Sequence, residues 1–169
     1  VSNRSCEIGH EVIDIDNLNT DYDVNLKLER LQSLKAHENF TFRTLDLFEK
    51  TAVASLFQVE QFDKVIHLGA QAGVRFSLEN PYTYSDANLA GHINILEGCR
   101  HHNIQHLVYA SSSSVYGMNK EQPFKESHAV DHPVSLYAAT KRANELLSHT
   151  YSHLYSIPTT GLRFFTVYG

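Results

Sequence analysis

The stretch LVYASSSSVYG, residues 107–117, carries the clearest fold signal in the chain. It opens with a short apolar run that predicts a buried strand over residues 107–111, and it closes with serines and a glycine that end the strand. A second stretch, VSLYAATK at residues 134–141, opens an amphipathic segment that predicts a helix over residues 136–154. A strand, a loop and a helix in this order are the repeating unit of α/β proteins.

The same alternation of strand and helix patterns extends over the whole chain. The other predicted strands cover residues 11–15, 40–44, 64–68 and 159–164. The other predicted helices cover residues 24–34, 50–58 and 84–100. This alternation predicts a doubly wound, Rossmann-like α/β domain over residues 1–169, in which helices cover both faces of a parallel sheet.

The two ends of the chain depart from the usual dinucleotide-binding pattern. That fold opens with a strand and a glycine-rich turn, whose backbone amides hold a pyrophosphate at a helix N-terminus. The eight glycines include no such grouping, and the first residues resemble the end of a helix, with Gly9 at the turn into the next strand. We therefore expect a domain truncated at both ends, without the first strand and its glycine loop and without a C-terminal substrate lobe.

Composition narrows the classes of function. The chain has 169 residues, 42% of them hydrophobic, which suits one domain with a buried core and no membrane span. A formal charge of −5 argues against a nucleic-acid surface. Cys6 and Cys99 show no pairing pattern, so we expect a reduced, cytoplasmic setting. The 11 histidines follow no ligand spacing, so we expect no metal site.

Tyr137 and Lys141 form a Tyr-x-x-x-Lys motif on the last predicted helix. Residues four apart share one helix face, so the lysine ammonium can lie beside the tyrosine ring. A free tyrosine, with a pKa of about 10, is a poor base at neutral pH, but a neighbouring cation favours the phenolate. The motif also fits a ring packed under an exposed amine. The serines before it, whose hydroxyls can orient a substrate alcohol, favour a site for proton and hydride transfer.

Asp16 ends a predicted strand at the point where a dinucleotide fold places a carboxylate on the adenosine ribose hydroxyls. Such a carboxylate repels a 2′-phosphate, which favours NAD over NADP. The pair Asp16 and Asn17 also fits a simple turn. Asp46 and Leu47 follow the next strand, where an adenine would lie.

Three further segments contain candidate binding residues. Leu68, Gly69 and Ala70 close a predicted strand, and small residues there let a cofactor approach the backbone, although packing alone would explain the glycine. Asn88 lies on a predicted helix near the carboxyl edge of the sheet and is either a cofactor contact or a solvated polar residue. Arg75 lies in an apolar loop, where it either pairs with an anionic substrate or lies at the surface.

These segments together resemble the extended short-chain dehydrogenase/reductase superfamily, and within it the nucleotide-sugar epimerases that act on UDP-glucuronate. The matching segments are IDNLN at 15–19, HLGAQAGVR at 67–75, ASSSSVYG at 110–117, DHPVSLYAATK at 131–141 and RFFTVYG at 163–169. The resemblance covers essentially the whole chain. It implies an NAD-dependent isomerase with a UDP-sugar substrate, of the kind used in polysaccharide biosynthesis.

The resemblance also implies a role for individual residues. Tyr137 would be the catalytic base, Lys141 its partner that also holds the nicotinamide ribose, and Ser112 the group that aligns the sugar hydroxyl. Ser113 and Ser114 would face the sugar. Related dehydratases and decarboxylases carry acidic residues at such positions. Serine hydroxyls can instead hydrogen-bond a sugar carboxylate without repelling it, which favours an epimerase.

Phe164, Phe165 and Thr166 resemble the segment that lines the nicotinamide and the sugar. The implied reaction starts when Tyr137 takes the proton of the sugar C4 hydroxyl while NAD accepts the C4 hydride. The 4-keto sugar then rotates and receives the hydride on its other face. This route would convert UDP-glucuronate to UDP-galacturonate.

Other functions remain open on the sequence. The chain also fits a UDP-glucose 4-epimerase, a dehydratase or a decarboxylase on the same scaffold. As an inactive fragment, it would serve only as a binding or dimerisation module. The resemblance further implies a homodimer formed through the helices that begin at residues 84 and 136.

Overall fold

The structure is a computed structural model, and it describes residues 1–167. Its alternating helices and parallel strands confirm the predicted α/β class. The chain divides into two compact units, Val1–Asp46 and Leu47–Gly169. The strands that the structure describes form one two-stranded and one three-stranded sheet. The single domain expected over residues 1–169 stays a prediction.

The first unit contains two helices and two strands. In chain order these are α1 Ser2–Glu7, β1 Val12–Asp16, α2 Val24–Leu34 and β2 Phe40–Thr44. The two strands pair in parallel, with Val12 opposite Phe40 and Asp16 opposite Thr44. Cys6, Leu31 and Phe40 form the buried core of this unit.

The second unit contains a longer series of elements. These are α3 Lys50–Glu60, β3 Lys64–His67, α4 Phe76–Glu79, α5 Pro81–Tyr84, a π-helical turn Ser85–Ala90, α6 Gly91–His101, β4 His106–Ser112, a 3₁₀ turn Ser113–Tyr116, α7 Leu136–Tyr155 and β5 Thr159–Phe164. The strands are parallel in the order β3, β4, β5. Because parallel strands share an edge at their carboxyl ends, His67, Ser112 and Phe164 end on the same side of this sheet.

The predicted helix over residues 84–100 is divided in the structure. It comprises α5, the π-helical turn and α6, which ends at His101. A π-helical turn inserts one extra residue into the helical repeat, and such turns are frequent at functional sites. Hydrophobic periodicity does not reveal this insertion, so the sequence predicted one continuous helix.

Apolar side chains pack α3 against α6. Val53 and Leu96 are fully buried, and Phe57 is 2% exposed. The Phe57 ring lies directly over Gly98, where an added Cβ would come within 2.5 Å of the ring. A glycine at this point therefore allows the two helices to approach closely.

The loop over residues 118–133 packs onto the 3₁₀ turn that follows β4. The rings of Tyr116 and Phe124 stack with centroids 4.4 Å apart, and Val115 and Val130 are buried with them. Gly117 has a φ of +51°, and a Cβ there would lie 2.1 Å from a backbone oxygen of the same loop.

Among residues 1–167, no helix combines the length and the apolar character that a membrane crossing requires.

Candidate active site

Helix α7 begins at a capped turn that places both residues of the Tyr-x-x-x-Lys motif. The Ser135 side chain accepts a hydrogen bond from the Ala138 amide at 3.1 Å, which satisfies one of the free donors at the helix start. Tyr137 therefore lies in the first turn and Lys141 one turn later. The Lys141 Nζ atom is 6.0 Å from the centroid of the Tyr137 ring.

Lys141 is a buried cation with free donors. Lys141 is only 3% exposed, and its Nζ atom donates to the Ala110 carbonyl at 3.0 Å. Burial lowers the pKa of Lys141 to about 8. The ammonium has three N–H donors, and within residues 1–167 only the Ala110 carbonyl accepts from it. Two donors therefore remain for a ligand.

The Tyr137 ring is held from the side by Tyr84. The two rings meet edge to face, with centroids 6.2 Å apart and an interplanar angle of 80°. Tyr84 is fully buried, and its hydroxyl donates to the Ala72 carbonyl at 2.7 Å. The Tyr137 hydroxyl makes no hydrogen bond to residues 1–167, so it is available to a substrate. Tyr84 was not predicted as a site residue, because a tyrosine at a helix boundary carries no distinguishing pattern.

The serine run lies where β4 meets this helix. Since Lys141 binds the carbonyl of Ala110, the first turns of α7 adjoin the end of β4, where Ser112 is the last residue. The Ser112 hydroxyl accepts from the Ser114 amide at 3.2 Å and so caps the 3₁₀ turn. This leaves its hydrogen free to donate. Ser113 and Ser114 lie half-buried in the turn itself.

Asn88 occupies the π-helical turn and is 1% exposed, so it is not the solvated residue that the sequence also allowed. Its side-chain oxygen accepts from the Gln71 amide at 2.8 Å. Its nitrogen donates to the Gln71 carbonyl and to Thr140 Oγ1, each at 3.1 Å. The amide therefore fixes the loop after β3 to α7, next to Lys141.

The other candidates of the second unit lie in more exposed positions. A Cβ on Gly69 would meet the Leu47 side chain at 2.8 Å, which supports a packing reason for this glycine. Leu68 is 47% exposed, while Ala70 is partly exposed and Arg75 is exposed at the start of α4.

The segment after β5 lies near the loop over residues 118–133. Phe164 and Thr166 are exposed. The Phe165 ring lies against the rings of Tyr116 and Phe124, with centroids 6.4 and 6.1 Å away. Among the described residues these are its ring contacts. The structure therefore places Phe165 with the loop and not on the Tyr137 ring.

In the first unit, Asp16 forms a turn and still presents a carboxylate oxygen. Oδ1 accepts from the Leu18 amide at 2.6 Å and from Lys27 Nζ at 3.3 Å. Within the described part of the chain, Oδ2 has no hydrogen-bond partner. Asn17 donates to Asp46 at 2.9 Å. The Asp16 side chain therefore caps a turn through one oxygen, while the other oxygen has no partner among the described residues.

A buried polar cluster lies close to Lys141. The rings of His67 and His92 stack with centroids 5.2 Å apart, and His92 Nε2 bonds Ser148 Oγ at 2.9 Å. Burial, together with the nearby Lys141 charge, lowers the pKa of His92 to about 4. The imidazole is therefore neutral at physiological pH.

Residues 1–167 contain no group of three His, Cys, Asp or Glu side chains that could hold a metal ion.

A family model described as the NAD dependent epimerase/dehydratase family matches residues 2–169. The chain belongs to this family. The match confirms the resemblance to nucleotide-sugar epimerases at the family level, and it confirms that the chain comes from a family of NAD-dependent enzymes. The site with Tyr137, Lys141 and Ser112 lies within the matched residues.

Individual members of the NAD dependent epimerase/dehydratase family show the same likeness. The chain is 59% identical over 169 residues to an uncharacterized 37.6 kDa protein from Escherichia coli O111:H-, of which it covers 50%. It is 51% identical over 162 residues to UDP-glucuronate 4-epimerase 1 of Arabidopsis thaliana. This match covers 95% of the present chain and 38% of the Arabidopsis protein. The chain thus spans about half the length, or less, of these relatives.

A solved structure of the same family has a closely similar fold. It is a tyrosine-to-phenylalanine variant of UDP-glucuronic acid 4-epimerase from Bacillus cereus, in complex with UDP-4-deoxy-4-fluoro-glucuronic acid and NAD. The TM-score is 0.90 at 32% sequence identity, and the match covers 99% of this chain and 52% of that one. Such a match confirms that this chain has the α/β architecture of the matched part of that epimerase.

Proposed function

We propose that the protein carrying this chain is an NAD-dependent epimerase that inverts C4 of a UDP-sugar, and that UDP-glucuronate is its substrate. The observation that carries the proposal is the buried Lys141 ammonium 6.0 Å from the centroid of the Tyr137 ring, next to the end of β4 that bears Ser112. The names of relatives such as UDP-glucuronate 4-epimerase 1 support the choice of substrate.

The residues present fit the nicotinamide ribose of NAD. Two unpartnered N–H donors on the buried Lys141 match the neighbouring hydroxyls of a ribose. When bound, NAD supplies the acceptor and donor of hydride. In the first unit we propose that the free oxygen of Asp16 binds the adenosine ribose, with Asn17 and Asp46 nearby. Leu47, Leu68, Gly69, Ala70 and Phe164 remain proposed cofactor contacts.

The proton transfer depends on three side chains. Tyr137 accepts the proton of the sugar C4 hydroxyl, and the positive charge of Lys141 favours the phenolate that this step requires. The Ser112 hydroxyl donates to the same sugar oxygen and orients it. Asn88, predicted as a cofactor contact, uses both of its N–H donors to hold Gln71 and Thr140, so we propose that it acts through these residues.

The carboxylate of the sugar would be bound by neutral and cationic groups. Ser113 and Ser114 offer hydroxyl donors, and Arg75 offers a charged one. Phe165 and Thr166 complete the proposed substrate-binding set. Acidic side chains at the two serine positions would repel a glucuronate carboxylate, which is why we propose UDP-glucuronate before neutral UDP-sugars.

The decisive experiment is Tyr137→Phe in the protein that carries this chain. We expect turnover to fall by about 10³-fold, while the affinity for NAD and for UDP-glucuronate changes little, because only the proton acceptor is removed. Tyr155→Phe at the far end of α7 is the matched control and should keep wild-type turnover. Near-normal turnover of the Tyr137 variant would contradict the proposal.

Product analysis separates the proposed substrate from its alternatives. NMR of the reaction with UDP-glucuronate should show UDP-galacturonate as the product. Loss of the sugar carboxylate or of water would instead identify a decarboxylase or a dehydratase. Conversion of UDP-glucose alone would identify a UDP-glucose 4-epimerase.

The binding of NAD to residues 1–169 alone is a separate measurement. These residues contain no glycine-rich turn for a pyrophosphate, so we expect affinity much weaker than micromolar. Micromolar affinity would show that the phosphate site lies elsewhere in the chain.

We also propose a homodimer that uses α6 and α7. Leu146 and Leu154 on α7 are 52% and 60% exposed, and Ile93 on α6 is 38% exposed. A contiguous patch of exposed apolar side chains marks an interaction surface, and we propose such a patch across α6 and α7. Light scattering on the protein that carries this chain should give twice the monomer mass, and Leu146→Glu should lower it.

A further inference from the structure

The carboxylate of Glu145 connects three elements of the second unit. Its side chain is 11% exposed. Oε1 accepts from Ser111 Oγ at 2.6 Å and from Arg163 Nε at 2.8 Å. Oε2 accepts from Arg163 Nη2 at 2.9 Å and from Arg142 Nη1 at 3.1 Å. Both oxygens therefore have two donors each, and the pair with Arg163 is bidentate.

The partners of Glu145 lie at the carboxyl ends of two adjacent strands. Ser111 of β4 and Arg163 of β5 are direct register partners. The next residues along the strands are Ser112, the proposed sugar-orienting serine, and Phe164, a proposed cofactor contact. The Glu145 carboxylate therefore links the carboxyl ends of β4 and β5, one residue before the proposed site.

Glu145 also shares a helix face with the two residues of the motif. Tyr137, Lys141 and Glu145 are four residues apart, so they follow one another along α7. Successive turns of this helix bind successive residues of β4: Lys141 donates to the Ala110 carbonyl, and Glu145 accepts from Ser111. The helix is thus fixed to the strand at two neighbouring points.

The charge of Glu145 is stabilised in place. Burial alone would raise the pKa of Glu145, but the hydrogen bonds from Arg163 and Ser111 outweigh burial and lower it. Glu145 is therefore an anion at neutral pH. Its hydrogen bonds are charge-assisted, which makes them shorter and stronger than neutral ones.

We propose that Glu145 is a positioning residue for the epimerase reaction. Its carboxylate holds the ends of β4 and β5 against α7, so that Ser112 stays aligned with the Tyr137 hydroxyl. The inference rests on the proposed function. A displacement of about 1 Å at the reacting groups can lower a rate by about 100-fold, so the effect should appear in kcat and not in KM.

The test compares three variants of the protein that carries this chain. Glu145→Gln should lower kcat by about 10- to 100-fold with little change in KM. Ser111→Ala, which leaves both arginine contacts in place, should lower kcat by about 3- to 10-fold, the usual value of one hydrogen bond. Ser111→Thr restores the hydroxyl and should restore kcat. This rescue distinguishes a lost hydrogen bond from general damage to the strand.

Glu97 provides a matched control. Like Glu145 it accepts hydrogen bonds from an arginine, Arg100, and from a hydroxyl, that of Tyr151. These partners lie on α6 and α7, not at the strand ends. Glu97→Gln should therefore keep wild-type kcat. A loss of kcat equal to that of Glu145→Gln would overturn the inference.

Hydrogen exchange gives a measurement that needs no activity. In Ser111→Ala, the amides of residues 110–114 should exchange faster, while those of residues 92–99 stay unchanged. If wild type epimerises and Tyr137→Phe does not, but Glu145→Gln and Ser111→Ala keep kcat, the inference fails while the proposed function stands. If wild type does not epimerise, the proposed function fails. In that case, unchanged amide exchange at residues 110–114 of Ser111→Ala would also show that Glu145 does not fix the end of β4.

Discussion

The second unit contains two buried regions of opposite chemistry. Between α3 and α6 the core is apolar: Val53, Phe57 and Leu96 are buried with no polar side chain to satisfy. Next to Lys141 the core is polar, and its buried members are His67, Asn88, His92, Ser111, Thr140, Asn144 and Ser148.

In this unit the apolar region contributes most to stability, and the polar region surrounds the proposed site. Burying a large apolar side chain contributes about 1.5–3 kcal/mol, whereas a buried polar group stabilises little and costs more when unpaired. In the polar region two buried atoms, His92 Nδ1 and Asn144 Oδ1, have no hydrogen-bond partner of good geometry among residues 1–167. We therefore expect mutations in the two regions to have opposite consequences.

The largest effect is expected for Lys141→Met, which breaks the polar region at its centre. We expect turnover to fall by about 10³-fold, because the cation next to Tyr137, the proposed catalytic base, is lost. Stability should not fall with it. Burial lowers the pKa of Lys141 from 10.5 to about 8. Above pH 10.5 the amine is neutral in both states and does not oppose folding. The free energy of unfolding then decreases as the pH falls from 10.5 to about 8, because the unfolded chain binds the proton first.

At pH 7 the buried ammonium therefore opposes folding. Its removal should raise the free energy of unfolding by roughly 1–2 kcal/mol, after the lost hydrogen bond to Ala110 is subtracted. Urea unfolding at pH 7 and pH 10 measures this gain, which should shrink at the higher pH. Lys64→Met, at an exposed position of β3, is the control and should change neither quantity. A destabilised Lys141→Met protein would contradict the comparison.

The second effect sharpens the comparison from the apolar side. Phe57→Ala should lower the free energy of unfolding by about 3–5 kcal/mol, because it removes a buried ring and leaves a cavity over Gly98. Its kcat should stay at the wild-type value wherever the protein is folded. Val59→Ala on the same helix, 67% exposed in the wild type, should change stability by less than about 0.5 kcal/mol. Loss of kcat in folded Phe57→Ala would show that the two regions are coupled.

The third effect is the response of the polar region to acid. The pKa of His92 is lowered to about 4 by burial first and by the Lys141 charge second. The unfolded chain therefore binds more protons between pH 6.5 and 4, so stability is complete above pH 6.5 and falls as the pH drops toward 4. The loss from His92 is on the order of 3 kcal/mol.

Urea unfolding across this pH range measures the slope of stability against pH. His92→Phe should flatten the slope, because the variant has no imidazole to protonate at this position. Phe57→Ala removes no titratable group and should keep the wild-type slope at a lower overall stability. An unchanged slope in His92→Phe would show that other groups cause the acid response.

Much of the architecture could be predicted from the sequence. The bounds of α2, β2 and β5 agree with the hydrophobic pattern, and α7 extends one residue beyond the predicted end. These elements are amphipathic or apolar with clear ends, so local pattern is sufficient. The π-helical turn could not be predicted from local pattern; its residue Asn88 bonds a loop 17 residues earlier, a contact that periodicity does not encode.

The candidate site was only partly visible in the sequence. Tyr137 and Lys141 could be paired because a four-residue spacing fixes a shared helix face. The same spacing extends to Glu145 and could have drawn attention to it, but its partners Ser111 and Arg163 are 34 and 18 residues away. Tyr84 gave no signal, since only packing brings its ring to Tyr137.

The sequence by itself determined the order of strands and helices, the family and the residues proposed to transfer a proton, because these follow from local periodicity and from motifs at short spacing. The tertiary structure decided which polar groups are buried, which donors of Lys141 stay free and which carboxylate fixes the strand ends. Those properties depend on contacts between residues far apart in the chain, where desolvation and hydrogen-bond geometry change the chemistry of each side chain.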